Sequence, residues 1–273
     1  MLGGDGILIC KLMMNNSIFS LENKVAIVTG ASGDLGFAIS KAYVEAGAIV
    51  VMAARDNEKL KKSIQNLDGY SNRIMACIVD VSDARQVQIM IDDVLQKLGQ
   101  IDILVTAAGI QHRCPTIDFD HDAWNEVMRV NLNGTFYCAQ GVAKHMVLRK
   151  TGRIIMVTSL TAEIGIPNIS AYAASRGGIR QLCKTMAVEL ASHGITVNCV
   201  GPGRFMTKMT KDVFADAQKR DKFLSVIPMG RAGVPDDLVG VLLLLASSSS
   251  SYITGQSIYV DGGWLAGGGN VLG

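Results

Sequence analysis

None of the six cysteines forms a C-x-x-C pair, which removes the usual signature of a thiol zinc site or a redox dithiol. Cys10, Cys77, Cys114, Cys138, Cys183 and Cys199 sit mostly inside apolar runs, the pattern of buried free thiols in a reducing cytoplasm. The four histidines are scattered without metal-ligand spacing, so no metal is expected. Lysines and arginines never run to more than two in a row, and the net charge is only +2. That balance excludes a nucleic-acid surface. The run LVGVLLLLA (238–246) falls well short of the roughly 20 residues that cross a bilayer, so it reads as a buried helix and no membrane partner is expected. Residues 1–20 lack a basic leader and a small-residue cleavage site, and Lys11 interrupts their apolar stretch. They read as an N-terminal extension.

Apolar residues make up 49% of the 273 and charged residues 18%, enough for a sizeable core and too few charges for disorder. β-branched runs alternate with helix-length segments. Strands are expected at Lys24–Thr29, Ile49–Ala53, Arg73–Val79, Ile101–Thr106, Arg153–Ser159, Thr196–Val200 and Ser257–Val260. Helices are expected near 34–46, 56–66, 83–98, 122–149, 171–192 and 235–246. Continuous apolar strands alternating with helices imply a parallel sheet covered on both faces. The expected fold is α/β: a single Rossmann-like domain over 21–273 with a doubly wound, parallel, seven-stranded sheet. Residues 202–234 form a long insertion near a strand end, the position of a substrate lid.

The stretch VAIVTGASGDLGFAI (25–39) reads as strand, tight turn and helix. Such a turn aims helix N–H groups at a pyrophosphate, so Gly30, Ser32, Gly33, Asp34, Leu35 and Gly36 are expected around a dinucleotide. The next strand ends in Ala54 and Arg55, where NAD-binding folds usually carry an acid. An arginine there suits a 2′-phosphate, which favours NADP(H) over NAD(H). Downstream, AYAASRGG (171–178) puts Tyr172 and Arg176 four apart, on one face of a helix. A phenol beside a fixed cation is a plausible proton-transfer pair, although a guanidinium does not release its proton near neutral pH.

These stretches and several others resemble the short-chain dehydrogenase/reductase family over about residues 22–263. The family carries T-G-x-x-x-G-x-G, D-V, N-N-A-G, a helical Asn, a Ser, Y-x-x-x-K and P-G-x-x-x-T in that order. This chain has Thr29–Gly30 through Gly36, Asp80–Val81, TAAG (106–109), Asn131, Ser159, Tyr172 with Arg176, and Pro202–Gly203 with Thr207. Ser159 and Tyr172 are thirteen residues apart, as the family pattern requires. AGIQHR (108–113), SLTAEIG (159–165) and YVDGGWLAG (259–267) look most like gluconate 5-dehydrogenases and related sugar-acid oxidoreductases.

The resemblance implies interconversion of a secondary alcohol and a ketone by an NAD(P)-dependent enzyme. It implies that Tyr172 gives a proton to the substrate oxygen and that Ser159 hydrogen-bonds the same oxygen. The family's Lys, here Arg176, favours the phenolate and holds the nicotinamide ribose, and Asn131 helps a water relay. Asp80 and Val81 are implied to line the adenine. Ala108, Gly109, Pro202, Gly203, Phe205 and Thr207 are implied around the nicotinamide. A homotetramer or homodimer is implied too.

Three positions depart from the pattern. Asp34 stands at the middle glycine and reads either as a helix N-cap or as a charge repelling the pyrophosphate. Ala107 lacks the side chain that braces the central strands. Arg176 replaces Lys. The substrate is expected to be a sugar acid such as gluconate or 5-ketogluconate, with Arg113 for its carboxylate and His112 and Glu163 for hydroxyls. The departures motivate an alternative, a cofactor-binding or scaffold protein with vestigial catalysis. Reductases of acyl thioesters or steroids share most of the same residues.

Overall fold

Seven β-strands lie parallel in one sheet with the order β3-β2-β1-β4-β5-β6-β7. They are β1 (Val25–Thr29), β2 (Ile49–Ala54), β3 (Ile74–Ile78), β4 (Ile103–Thr106), β5 (Gly152–Val157), β6 (Ile195–Pro202) and β7 (Ser257–Val260). The helices are α1 (Asp34–Glu45), α2 (Asn57–Gln65), α3 (Ala84–Leu98), α4 (His121–Met128), α5 (Gly134–Arg149), α6 (Ser170–Leu190), α7 (Ala217–Leu224) and α8 (Val239–Ala246). This computed structural model describes residues 18–207, 210 and 214–267. Most of the expected N-terminal extension, part of the expected lid and Cys10 lie outside the described residues.

Every residue of β1, β4 and β6 is buried, as continuous apolar strands require when both sheet faces are covered. Alternate residues serve opposite faces. Val25 and Ile27 join Val87, Ile91, Val142, Met146 and Cys183 of α3, α5 and α6. Ala26 and Val28 join Ile39, Tyr43, Leu242 and Leu245 of α1 and α8. Aspartates start several helices: Asp56, Asp83 and Asp120 cap α2, α3 and α4 by accepting N–H bonds from Lys59, Arg85 and Ala123. β4 begins at Ile103, later than the apolar run suggests. Buried Asp102 is committed to Val25 N (2.9 Å) and to Arg149 of α5 (3.0 Å).

The stretch expected as one helix over 122–149 is interrupted by a π-helical turn at Arg129–Asn133. The wider turn accommodates an extra residue and leaves Asn131 wholly buried. Periodicity at the apolar positions is too coarse to reveal a one-residue insertion.

The strand order reverses between β1 and β4. In such sheets the crevice at the carboxyl ends of those two strands is where ligands bind.

Candidate active site

The glycine turn leaves β1 directly into that crevice. Gly30 has φ +67°, and a Cβ there would lie 2.8 Å from the Ala108 backbone after β4. A Cβ on Gly36 would come within 2.2 Å of the Gly30 carbonyl oxygen. Only glycine satisfies either position, so the turn and the start of α1 are pressed against the end of β4. Gly33, not Asp34, is the N-cap of α1, and it contributes no side-chain bond. Asp34 is instead the first residue inside the helix, with Ser32 and Leu35 half-buried around it. Gly33 thus brings no side chain of its own to the first-turn amides of α1, which leaves its backbone open to close approach by an anion.

Arg55 is exposed just past β2. Its charge reaches Asp80, beyond β3. Burial pushes the Asp80 carboxyl up. Hydrogen bonds from Ser82 N (2.9 Å) and Ser82 Oγ (2.6 Å), with the charges of Arg129 and Arg55, outweigh it and hold the group below the ordinary carboxylate range. Arg129 of the π-turn donates to Ser82 Oγ, extending the chain of bonds. Ser82 and Arg129 escaped the sequence reading. A serine two residues after an aspartate is a local turn signal, but nothing in the sequence links it to Arg129. Val81 packs on Gly134, where a Cβ would sit 2.8 Å from its side chain.

The absent side chain at position 107 has a substitute. Thr29 Oγ1 accepts from both Ala107 N (3.2 Å) and Ala108 N (3.3 Å), so the brace between β1 and β4 comes from the β1 side. Thr29→Val keeps the shape and removes the acceptor. It is expected to lower unfolding stability by about 1–2 kcal/mol, read as a lower urea midpoint, because two half-buried amides lose their partner.

Asn131 braces the same loop. Its Oδ1 accepts from Ile110 N (2.8 Å), and its Nδ2 donates to Ile110 O (3.0 Å) and Ser175 Oγ (3.1 Å). The side-chain amide thus ties the Ile110 loop to α6. Ser175, the unnoticed partner, precedes Arg176 on α6.

Ser159, just past β5, is buried and accepts Thr161 N at 3.2 Å, capping a single 3₁₀ turn. That bond uses one lone pair, and the hydroxyl proton remains for a carbonyl oxygen. Tyr172 sits half-buried in the first turn of α6. The Arg176 guanidinium lies over its ring, 4.8 Å from the centroid. This arginine is 5% exposed, so its cation is inside the protein. Its Nη1 donates to Val157 O at 2.8 Å, and its Nη2 lies 2.3 Å from where a Cβ on Gly109 would stand. Its Nε has no hydrogen-bond partner among the described residues.

The lid expected over 202–234 is closed at its base. Phe205 and Gly233 form a parallel bridge, with Met206 N donating to Gly233 O (2.7 Å) and Gly233 N to Arg204 O (2.9 Å). Phe205 is buried and its ring lies under Gly233. Pro202 ends β6, and Gly203 N donates to Val260 O at 2.9 Å. Thr207 N donates to Thr210 Oγ1 at 3.0 Å. Residues 208, 209 and 211–213 of this segment lie outside the described residues. Arg113 and His112 are exposed after β4, the latter edge-on to Phe119. Glu163 is less available than expected: its Oε1 accepts from Tyr259 Oη (2.8 Å) and pairs with Arg180 Nε (2.8 Å). Burial, then Glu163, pushes the Tyr259 phenol well above its ordinary range.

Comparison with known proteins agrees with this architecture. A family model described as enoyl-(acyl carrier protein) reductase matches residues 30–265. Gluconate 5-dehydrogenase of Gluconobacter oxydans is 35% identical over 251 residues, covering 92% of this chain and 98% of that one. The 3-oxoacyl-[acyl-carrier-protein] reductase of Thermotoga maritima is 37% identical over 243 residues, 89% of this chain and 98% of that one. The crystal structure of a gluconate 5-dehydrogenase from Burkholderia cenocepacia, in complex with NADP and tartrate, superposes with a TM-score of 0.87 at 37% identity, covering 91% of this chain and 97% of that one. Likeness of that extent covers most of the chain, and the chain belongs to the short-chain dehydrogenase/reductase family of NAD(P)-dependent oxidoreductases.

Proposed function

We propose that the protein reduces the ketone of a sugar acid such as 5-ketogluconate with NADPH, and catalyses the reverse oxidation. The observation that carries the reading is the Arg176 guanidinium lying over the Tyr172 ring and bonded to Val157 O, two residues before Ser159 at the end of β5. The residues present fit a dinucleotide. Gly30 and Gly36 leave no room for side chains, the α1 N-terminus has no side-chain cap, and Arg55 stands exposed at the next strand end. The bound nicotinamide supplies the hydride.

The chain's own residues do the rest. The turn from Gly30 to Gly36 and the α1 amides hold the pyrophosphate. Arg55 pairs with the 2′-phosphate. Asp80 and Val81 border the adenine. Ala108, Gly109, Pro202, Gly203, Phe205 and Thr207 border the nicotinamide side. Ser159 donates a hydrogen bond to the ketone oxygen, and Tyr172 delivers the proton as negative charge builds there. Arg176 fixes a positive charge against the phenol ring, while Asn131 holds the Ile110 loop in place. Arg113 faces the acid group of the substrate. The NADP complex of the Burkholderia relative and the tartrate in it support both the phosphate and the acid.

NADPH oxidation is followed at the nicotinamide absorbance band with a panel of keto-sugar acids. Turnover of 5-ketogluconate well above that of acyl thioesters supports the reading. Arg55→Ala is expected to weaken NADPH binding about tenfold or more and to leave NADH within about twofold. Equal losses on the two cofactors would remove Arg55 from the phosphate. NADPH binding without turnover of any ketone would favour a scaffold role, to which the inward bond from Arg176 to Val157 also lends itself.

A further inference from the structure

Helix α6 carries both Tyr172 and Arg176, yet its start lacks the usual device for holding a first turn. The N-cap is Ile169, which offers no side-chain bond, and the buried Ser170 hydroxyl finds no partner among the described residues. An uncapped first turn leaves backbone groups unserved and frays readily. Tyr172, whose hydroxyl must reach the substrate, sits in this turn.

What ties it down is the next residue but two. Ser175 is wholly buried, and its Oγ donates to Tyr172 O at 2.7 Å. The neighbouring amide fixes the direction of that bond. Asn131 Oδ1 accepts from Ile110 N (2.8 Å), so Nδ2 is the edge that donates to Ser175 Oγ (3.1 Å), and the one hydroxyl proton is left for Tyr172 O. A serine bonded to the carbonyl three residues back is ordinarily a local feature of a helix. Here its acceptor side is taken by a residue 44 positions away, so the bonds run from the loop after β4, through the π-turn, to the backbone of Tyr172. The same loop meets the other member of the pair. A Cβ on Gly109 would lie 2.3 Å from Arg176 Nη2 and 3.3 Å from Asn131 Oδ1, so the loop backbone lies against both groups. A second tie, from Cys114 N to Asn168 O at 3.0 Å, joins the loop to the residues that lead into α6.

Proton transfer depends steeply on placement, and an error of about 1 Å costs on the order of 10²-fold in rate. We propose that Ser175 is a positioning residue that sets Tyr172 against the loop after β4, by passing the hold of Asn131 to the Tyr172 carbonyl. It acts through Tyr172 and touches no reacting atom. The inference rests on the reductase reading and adds to it the group that keeps the proton donor in register.

Ser175→Ala tests it, made both in wild type and in Tyr172→Phe. Alanine favours the helix, and Asn131 Nδ2 keeps its bond to Ile110 O, so the fold is kept. With whichever ketone turns over fastest, Ser175→Ala is expected to lower kcat about tenfold or more, with KM and the NADPH Kd within about twofold. In Tyr172→Phe no phenol remains to be placed, and the same change is expected to alter the residual single-turnover rate less than about twofold. A merely structural loss lowers both rates by the same factor. In the cofactor-free protein, amide exchange at Ile110 is expected to quicken about threefold or more in Ser175→Ala. Where alanine brings Tm down to the assay temperature, Ser175→Cys, with a weaker donor at the same place, carries the same comparisons. Three results overturn the proposal: a kcat within about twofold of wild type, equal losses in the two backgrounds, or unchanged exchange at Ile110. Failure of wild type to reduce any ketone removes the reductase reading and the role of Ser175 with it. Ketone reduction with equal losses in the two backgrounds removes the role of Ser175 alone.

Discussion

Tyr172→Phe lowers kcat for ketone reduction by about 10²–10⁴-fold and leaves the NADPH Kd within about twofold. The ring stays, so the contact with the Arg176 guanidinium and the packing of the first turn of α6 are kept. Only the hydroxyl goes, and with it the proton that the proposed reaction delivers to the developing alkoxide. Ser159 still offers a hydrogen bond, but it has no paired cation to favour giving up its proton. Steady-state turnover and cofactor fluorescence separate the two quantities. A variant that keeps more than about a tenth of wild-type kcat would show that the proton comes from elsewhere.

Arg176→Lys raises kcat by about tenfold. A guanidinium fixes charge but passes no proton, so the phenol must be reprotonated by a slower route. In this chain the group is also turned inward, with Nη1 on Val157 O and Nη2 against Gly109. Lysine replaces a broad planar head with a compact ammonium that rotates and shuttles. The exchange forfeits the bond to Val157 O and removes the buried Nε that lacks a partner among the described residues, so its effect on stability is expected to be under about 1 kcal/mol. Turnover measured across pH checks it, with the melting temperature as a control. A fall in kcat would mean that the surrounding residues have adapted to arginine.

The fold was legible because it is written in strand composition: all seven expected strands exist, and the buried patterns of β1, β4 and β6 follow from the apolar runs. Gly30 and Gly36 were legible for a different reason, since close backbone contacts leave glycine as the one residue that fits. What escaped depends on distant partners. Thr29 lies in the glycine motif, yet its bond to the Ala107 and Ala108 amides joins residues nearly eighty positions apart. Asn131 stands out as a site residue, but its bonds to Ile110 are set by a π-turn that periodicity does not resolve. Glu163 looked open because Tyr259 and Arg180, which occupy it, come from β7 and α6. Arg204 does not stand out beside Pro202 and Gly203, because Phe223 and Trp264, the rings that hold its guanidinium, come from two segments that only the fold gathers.

The bridge between Phe205 and Gly233 has an evolutionary consequence. Because the two ends of that excursion are pinned to each other, the chain between them can lengthen or shorten without disturbing β6 or α8. Doubling a closed loop costs only about 0.6 kcal/mol of closure entropy, so insertions there are cheap. Descendants of this protein can therefore rewrite the tethered peptide beyond Thr207 while Ser159, Tyr172 and Arg176, which lie outside it, are inherited unchanged.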